Sequence, residues 1–251
     1  MPSVKRSFSG RRAMNPKGYA QRKRSRVSPI GSSQVLGTVV APVKSNQTTL
    51  ARAVGPFANS KFVTLLYENG LQQIAGAANL LVTSIKANDG FDVDSSGDFG
   101  NKQPLYWDSL LTASGPYRTC KVTSWRTSYT FINNNATTPV QIWIGSPTSS
   151  SGDMDSAAEA DNWPGVKRLY LTASGSSKAH GSVTVTGHVK DVHPQYGDSY
   201  LFTGTYNASP TQLCYQNCVI KGADGTTAPA VYVAIKHEMF CELGNVDSLV
   251  S

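Results

Sequence analysis

Four cysteines, four histidines and a run of aspartates are the groups in this 251-residue chain that could make bonds or hold a metal. Cys214 and Cys218 stand in CYQNC. On a strand that spacing points both thiols to one face, with no second ligand pair beside them. A zinc site takes about four ligands, and Cys120 and Cys241 are the only other thiols. No apolar export segment precedes them, so the four thiols read as free and reduced. By the same reasoning the sequons at Asn135 and Asn207 carry no glycan. The stretch DVDSSGDFGNKQ sets Asp92, Asp94, Ser96 and Asp98 at the spacing of the first half of a calcium loop. Its twelfth position is Gln103 instead of a bidentate Glu, and no helices flank it. Asp-Ser-Ser-Gly is ordinary turn chemistry, so a polar hairpin loop is expected there. His180, His188, His193 and His237 are scattered. His237 falls on the apolar face of an alternating run, the place of a satisfied core histidine, and Asp191 with His193 is an everyday i,i+2 pair. There is no nucleophile elbow, no phosphate-cradling glycine loop and no HExxH. No catalytic residue, metal or cofactor is expected.

The remaining chemistry is electrostatic. Residues 1–26 hold Lys5, Arg6, Arg11, Arg12, Lys17, Arg22, Lys23, Arg24 and Arg26 with no Asp or Glu, a formal +9. The remaining 225 residues carry 14 Lys and Arg against all 16 Asp and Glu, a formal −2. A segment so charged and so poor in apolar residues cannot bury enough surface to fold alone, so residues 1–28 are expected to be a disordered basic arm. Gly10, Pro16 and Gly18 break the amphipathic helix that a transit peptide needs. No run approaches the ~20 apolar residues of a membrane span. Nucleic acid is the favoured partner, because cations at this density release counterions from phosphate. Phe8 and Tyr19, spaced among them, are placed to stack on unpaired bases. Arg11 and Arg12, followed by Arg22, Lys23, Arg24 and Arg26, also have the two-part spacing of a nuclear import signal.

Behind the arm, residues 29–60 hold prolines, glycines and little periodicity, and read as a linker with one short edge strand at Gln34–Val40. From there the chain alternates with period two. SVTVTGHVKDV sets Val183, Val185 and Val189 against Thr184, Thr186, His188 and Lys190. AVYVAIKHEMFCEL sets Val231, Val233, Ile235, Met239, Cys241 and Leu243 against Lys236, Glu238 and Glu242. PVQIWIG alternates through Val140, Ile142 and Ile144. In YRTCKVTSWRTSYTFINNN the apolar phase moves from Cys120 and Val122 to Trp125, Tyr129 and Phe131, which one extra residue near Thr123–Ser124 would reconcile as a β-bulge. Further strands are expected near Phe62–Glu68, Asn79–Lys86, Asp198–Thr205 and Leu213–Lys221. PLYWDSLLTASG is the best short helix, capped by Asp108 or Ser109. The expected fold is all-β: a single eight-stranded antiparallel jelly roll beginning at about residue 60, within a shell domain of residues 29–251.

Three stretches of this sequence resemble the capsid proteins of circovirus-like viruses, whose genomes are circular single-stranded DNA. They are QPLYWDSLLTASGPYRTCKVTSWRTSYTFINNNATTPVQIWIGS, WPGVKRLYLTASGSSKAHGSVTVTGHVKDV and the terminal VYVAIKHEMFCELGNVDSLVS. The acidic loop SGDMDSAAEADN departs from that pattern. The resemblance implies a virion protein in which about sixty identical copies form an icosahedral shell around a single-stranded DNA genome. It further implies assembly in the host nucleus, import receptors as partners and a host receptor of unknown identity. A coat protein of a small RNA or satellite virus would share fold and arm. From another class, a carbohydrate-binding jelly roll with a basic tail would use Trp107, Trp143 and Trp163 as sugar-stacking platforms. The import reading has a direct test: residues 1–28 fused to a large fluorescent reporter should carry it into nuclei, and cytoplasmic retention would refute the signal.

Overall fold

A computed structural model describes residues 60–100, 102–149, 153–194 and 200–244. The expected arm, the linker and the strand at Gln34–Val40 lie outside the described residues. Nine strands follow in order: β1 (Ser60–Ala75), β2 (Leu80–Lys86), β3 (Thr119–Asn133), β4 (Val140–Gly145), β5 (Lys167–Leu171), β6 (His180–His188), β7 (Thr203–Thr205), β8 (Tyr215–Gly222) and β9 (Ala230–Gly244). The helices are single turns or little more: α1 (Trp107–Leu110), α2 (Ala157–Asn162) and α3 (Val189–Val192).

The strands form two antiparallel sheets, in the orders β1-β9-β3-β6 and β2-β8-β4-β5. β7 lies beside the start of β3. The pairing is nested: β1 with β9, β2 with β8, β3 with β6 and β4 with β5. A long hairpin folded over so that its strands alternate between two facing sheets is a jelly roll. The expected eight-strand all-β class is therefore the observed one, with β7 as an addition.

Side-chain alternation builds the core. Along β9, Val231, Val233, Ile235, His237, Met239, Cys241 and Leu243 are all buried, and the residues between them point away from the second sheet. On β3 the register against β9 shifts between Val122 and Ser124, the site where the sequence changes phase, and Trp125, Tyr129 and Phe131 then turn inward. Tyr129 and Phe131 stack at 5.8 Å within that face. The second sheet contributes Ile85, Val140, Ile142, Ile144, Cys218 and Ile220. A smaller cluster on its far side packs Trp143, Met154 and Val219 beneath Ala160 of α2.

Several expectations are corrected. β1 continues past Glu68 to Ala75 through a second register shift between Asn69 and Gln72. β6 ends at His188, whose Nδ1 accepts from the Lys190 backbone N–H at 3.2 Å and starts α3. Val189 therefore leaves the face of Val183 and Val185 and packs instead with Trp125, Phe202 and Cys214. Residues 200–205 are a 3-10 turn, Tyr200–Phe202, followed by the three residues of β7. Neither Asp108 nor Ser109 caps α1: both lie inside it, and the cap position is Tyr106, in the left-handed region with φ 67°. The buried Trp107 indole, seated on Gly90, fixes this turn in place of a capping side chain.

Gly187 lies directly opposite Trp125, and a Cβ there would stand 2.4 Å from the indole. Gly187→Ala should therefore destabilise the domain by about 1–3 kcal/mol, the usual cost of overpacking. Gly70→Ala, which meets nothing within 4 Å, should leave the midpoint of thermal unfolding nearly unchanged. Calorimetry on the two variants measures the difference, and equal midpoints would contradict the packing described.

Candidate nucleic-acid interface

The nine arm cations, Lys5 to Arg26, lie outside the described residues, so their electrostatics are read from sequence and the structure supplies what they are attached to. The described body offers phosphate little. Several of its cations stand against acids: Lys86 pairs with Asp92, Arg168 with Asp161 at 3.1 Å, and Lys236 with Glu238 at 3.5 Å. Across strands, Lys121 is opposite Glu242 and Arg126 opposite Glu238. The basic region is also longer than the first 26 residues suggest. Lys44 and Arg52 extend it, and no acidic residue occurs before Glu68. Counting acids as well as bases along the chain reveals this. Ser60, where β1 begins, pairs with Gly244, where β9 ends.

The groups with reactive chemistry are used structurally. His237 is fully buried, with Thr127 Oγ1 2.7 Å from its Nδ1 and the Ala87 carbonyl 3.1 Å from its Nε2. The carbonyl can only accept, so Nε2–H donates to it and Nδ1 accepts from the threonine hydroxyl. The ring is neutral, and burial lowers its pKa to about 4. His193 follows α3, with Nε2 3.1 Å from the Leu213 carbonyl, so it forms no strand pair with Asp191. All four cysteines are free and buried. Cys214 and Cys218 sit in different apolar clusters. Burial raises the Cys214 thiol to about 12 and pushes Cys218 higher, while a hydrogen bond with Cys241, then burial, raises Cys120.

The aspartate run is a turn that Asp94 organises. Its Oδ1 accepts from the backbone N–H groups of Ser96 and Gly97, and its Oδ2 from those of Phe99 and Gly100. Both oxygens are thereby committed to the loop's own backbone. No group of three or more His, Cys, Asp or Glu side chains among the described residues is placed to hold a metal. Trp107 and Trp143 are buried, and Trp163 is partly buried against the cluster under α2. Trp143 Nε1 donates to Asp161 Oδ1 at 2.9 Å. Neither Trp107 nor Trp143 offers an open ring face for a sugar, which removes two of the three stacking platforms of the carbohydrate reading. No described helix is long and apolar enough to cross a membrane. The sequence signal overlooked exposed apolar residues instead: Phe62, Leu105, Tyr106 and Phe240 stand in solvent on or beside the first sheet.

The chain matches no family model and no curated protein. Among solved structures it is similar to the Desmodium yellow mottle tymovirus, at 14% identity over 76% of this chain and 91% of that one, with a TM-score of 0.41. It is also similar to the Macrobrachium rosenbergii nodavirus, at 8% identity and a TM-score of 0.43 over 94% of this chain, but it spans 61% of that chain. A third similarity is to a decameric BFDV capsid protein, at 9% identity over 73% of this chain and 99% of that one, with a TM-score of 0.39.

The buried histidine makes stability depend on pH. With its folded pKa near 4 against an ordinary 6.5, its contribution is complete above pH 6.5 and is lost as pH falls through about 4. The loss amounts to about 3 kcal/mol at most, because each tenfold change in proton affinity is worth about 1.4 kcal/mol. The midpoint of denaturant melts of the full chain should fall with acid across that window, and His237→Gln should flatten this dependence. Parallel profiles for the two proteins would show that the ring is not held neutral.

Proposed function

We propose that this chain is the coat protein of a small icosahedral virus, whose jelly roll builds a closed shell and whose basic arm holds the genome inside. One observation carries the reading: the chain separates its charge, with +9 in residues 1–26 and −2 in all the rest. A polypeptide that only needed solubility would spread that charge. A shell subunit has reason to confine it, because the genome lies on one side while the body must pack against copies of itself.

The magnitudes fit that division. A shell of about sixty subunits presents roughly 540 arm cations to phosphate, enough to neutralise a substantial part of a small genome without reading its sequence. The opposed charges of the body, such as Lys121 with Glu242 and Arg126 with Glu238, let neighbours approach without net repulsion. A single-stranded DNA genome is the finer reading, supported by the resemblance in sequence to circovirus-like capsid proteins. Sequencing the nucleic acid from purified particles distinguishes it from RNA. On the same support Arg11, Arg12, Arg22, Lys23, Arg24 and Arg26 serve nuclear import before assembly, and the mature protein resides in the virion.

Deleting residues 1–26 removes nine cations and no described strand. The truncated chain should fold and should lose packaging. Binding of single-stranded oligonucleotides by the full chain should weaken with salt at a log–log slope of up to about −6, from ~0.7 per phosphate contact. The truncated chain, retaining Lys44 and Arg52, should show a slope no steeper than about −1.4 on the same scale. Particles that package normal amounts of nucleic acid without the arm would sink the mechanism.

A further inference from the structure

The face of the first sheet that points away from the second carries an apolar stripe. Directly paired residues of antiparallel strands project to the same side. Because Val63, Leu65 and Tyr67 of β1 turn toward the core, Phe62, Thr64 and Leu66 turn outward. Phe240 of β9 lies opposite Thr64, and Leu105 bridges to Leu66 through a backbone hydrogen bond of 2.7 Å. Phe62, Leu66, Phe240 and Leu105 therefore share one surface, spread over about 13 Å along the strand. Phe62 is 75% exposed, Leu105 55% and Phe240 41%; elsewhere in the sheets only Leu71 and Tyr170 among the described large apolar side chains are as open, and each stands apart from this group.

Two features make the surface a built one. The bulge in β3 sets Thr123 out of register, and its Oγ1 donates to the Phe240 carbonyl at 3.1 Å. Beside it a depression of about 230 Å³ opens between Phe62, Thr64, Thr123 and Phe240. The second feature is Tyr106, next to Leu105, which holds φ at 67° while its side chain is 67% exposed. Glycine would occupy that backbone region with less strain, and the exposed ring repays none of the strain within the isolated subunit. The turn is nevertheless rigid: Trp107 anchors it in the core, and the Leu110 N–H donates to the Tyr106 carbonyl at 3.1 Å.

The charges beside the stripe identify its occupant. Lys121 faces Glu242, Arg126 faces Glu238 and Glu68 faces Lys236, giving three cations and three anions on adjacent strands. A polyanion gains nothing on a neutral surface. A second copy of the same surface meets no net repulsion and finds both signs to pair with, around an apolar centre of the kind that protein contacts bury. We propose that this face, centred on Phe62, Leu105 and Phe240, is a contact between copies of this chain. The inference rests on the coat-protein reading and gives its shell one specific seam.

The test uses the full chain. Phe62→Asp combined with Phe240→Asp changes only exposed side chains, so thermal unfolding and oligonucleotide binding should match the parent. Assembly, followed by sedimentation velocity, should need roughly tenfold more protein or fail, as expected when central apolar anchors are lost. A second variant, Thr64→Cys, places a thiol in the centre of the stripe, while the four native cysteines are buried. That thiol should react with maleimide in dissociated subunits and be protected in particles. If the parent assembles but the introduced thiol stays equally reactive, or the double variant assembles as the parent does, this contact is refuted and the coat reading stands. A parent chain that remains monomeric at every salt and protein concentration overturns both.

Discussion

β9 is hydrogen-bonded along both edges, to β1 on one side and β3 on the other, while every second side chain is buried. A strand held this way cannot slip by one residue, because the whole apolar set would turn outward. The strain of fitting two long neighbours to it is taken up by them. β1 inserts a residue between Asn69 and Gln72, and β3 inserts one between Val122 and Ser124, while β9 runs regularly from Ala230 to Gly244. Both bulges, the outward place of Phe62 and Phe240, and the seat of His237 follow from that fixed register.

The same register decides which groups stay available for chemistry. Cys120 of β3, Cys218 of β8 and His237 of β9 lie on inward positions: a hydrogen bond with Cys241 and then burial raise the Cys120 thiol, burial raises that of Cys218, and burial keeps the His237 ring neutral. What remains outside is shape, balanced charge and apolar side chains. The strongly charged segment, residues 1–26, precedes the first described strand.

The architecture was readable from sequence wherever one face of a strand is buried, because burial imposes a period of two. The seven inward residues of β9 and the phase change at Thr123 are cases in point. The reading weakened where two faces are covered or where a strand is short. β5, with Lys167 and Arg168 at its start, shows no alternation and was not anticipated. Val189 continued the apparent alternation of β6, but the turn capped by His188 carries it into another cluster. One signal was legible and overlooked: Ser156 and Glu159 stand three apart, and the serine hydroxyl accepts from the Glu159 N–H at the start of α2. The apolar stripe could not be read, since it joins residues 62, 105 and 240, which only the strand pairing brings together.

The pairing of Ser60 with Gly244 also sets a schedule. The outermost pair of a nested hairpin joins the two most distant strands, so the central strand of the first sheet is made after every other described strand. Contacts of such high order close slowly, and until they close β1 and β3 lack the strand that lies between them. An incomplete chain therefore cannot present the finished face of that sheet. A chain cut short before β9 lacks both Phe240 and the strand between β1 and β3, and it leaves open the two strand edges that β9 pairs in the whole sheet.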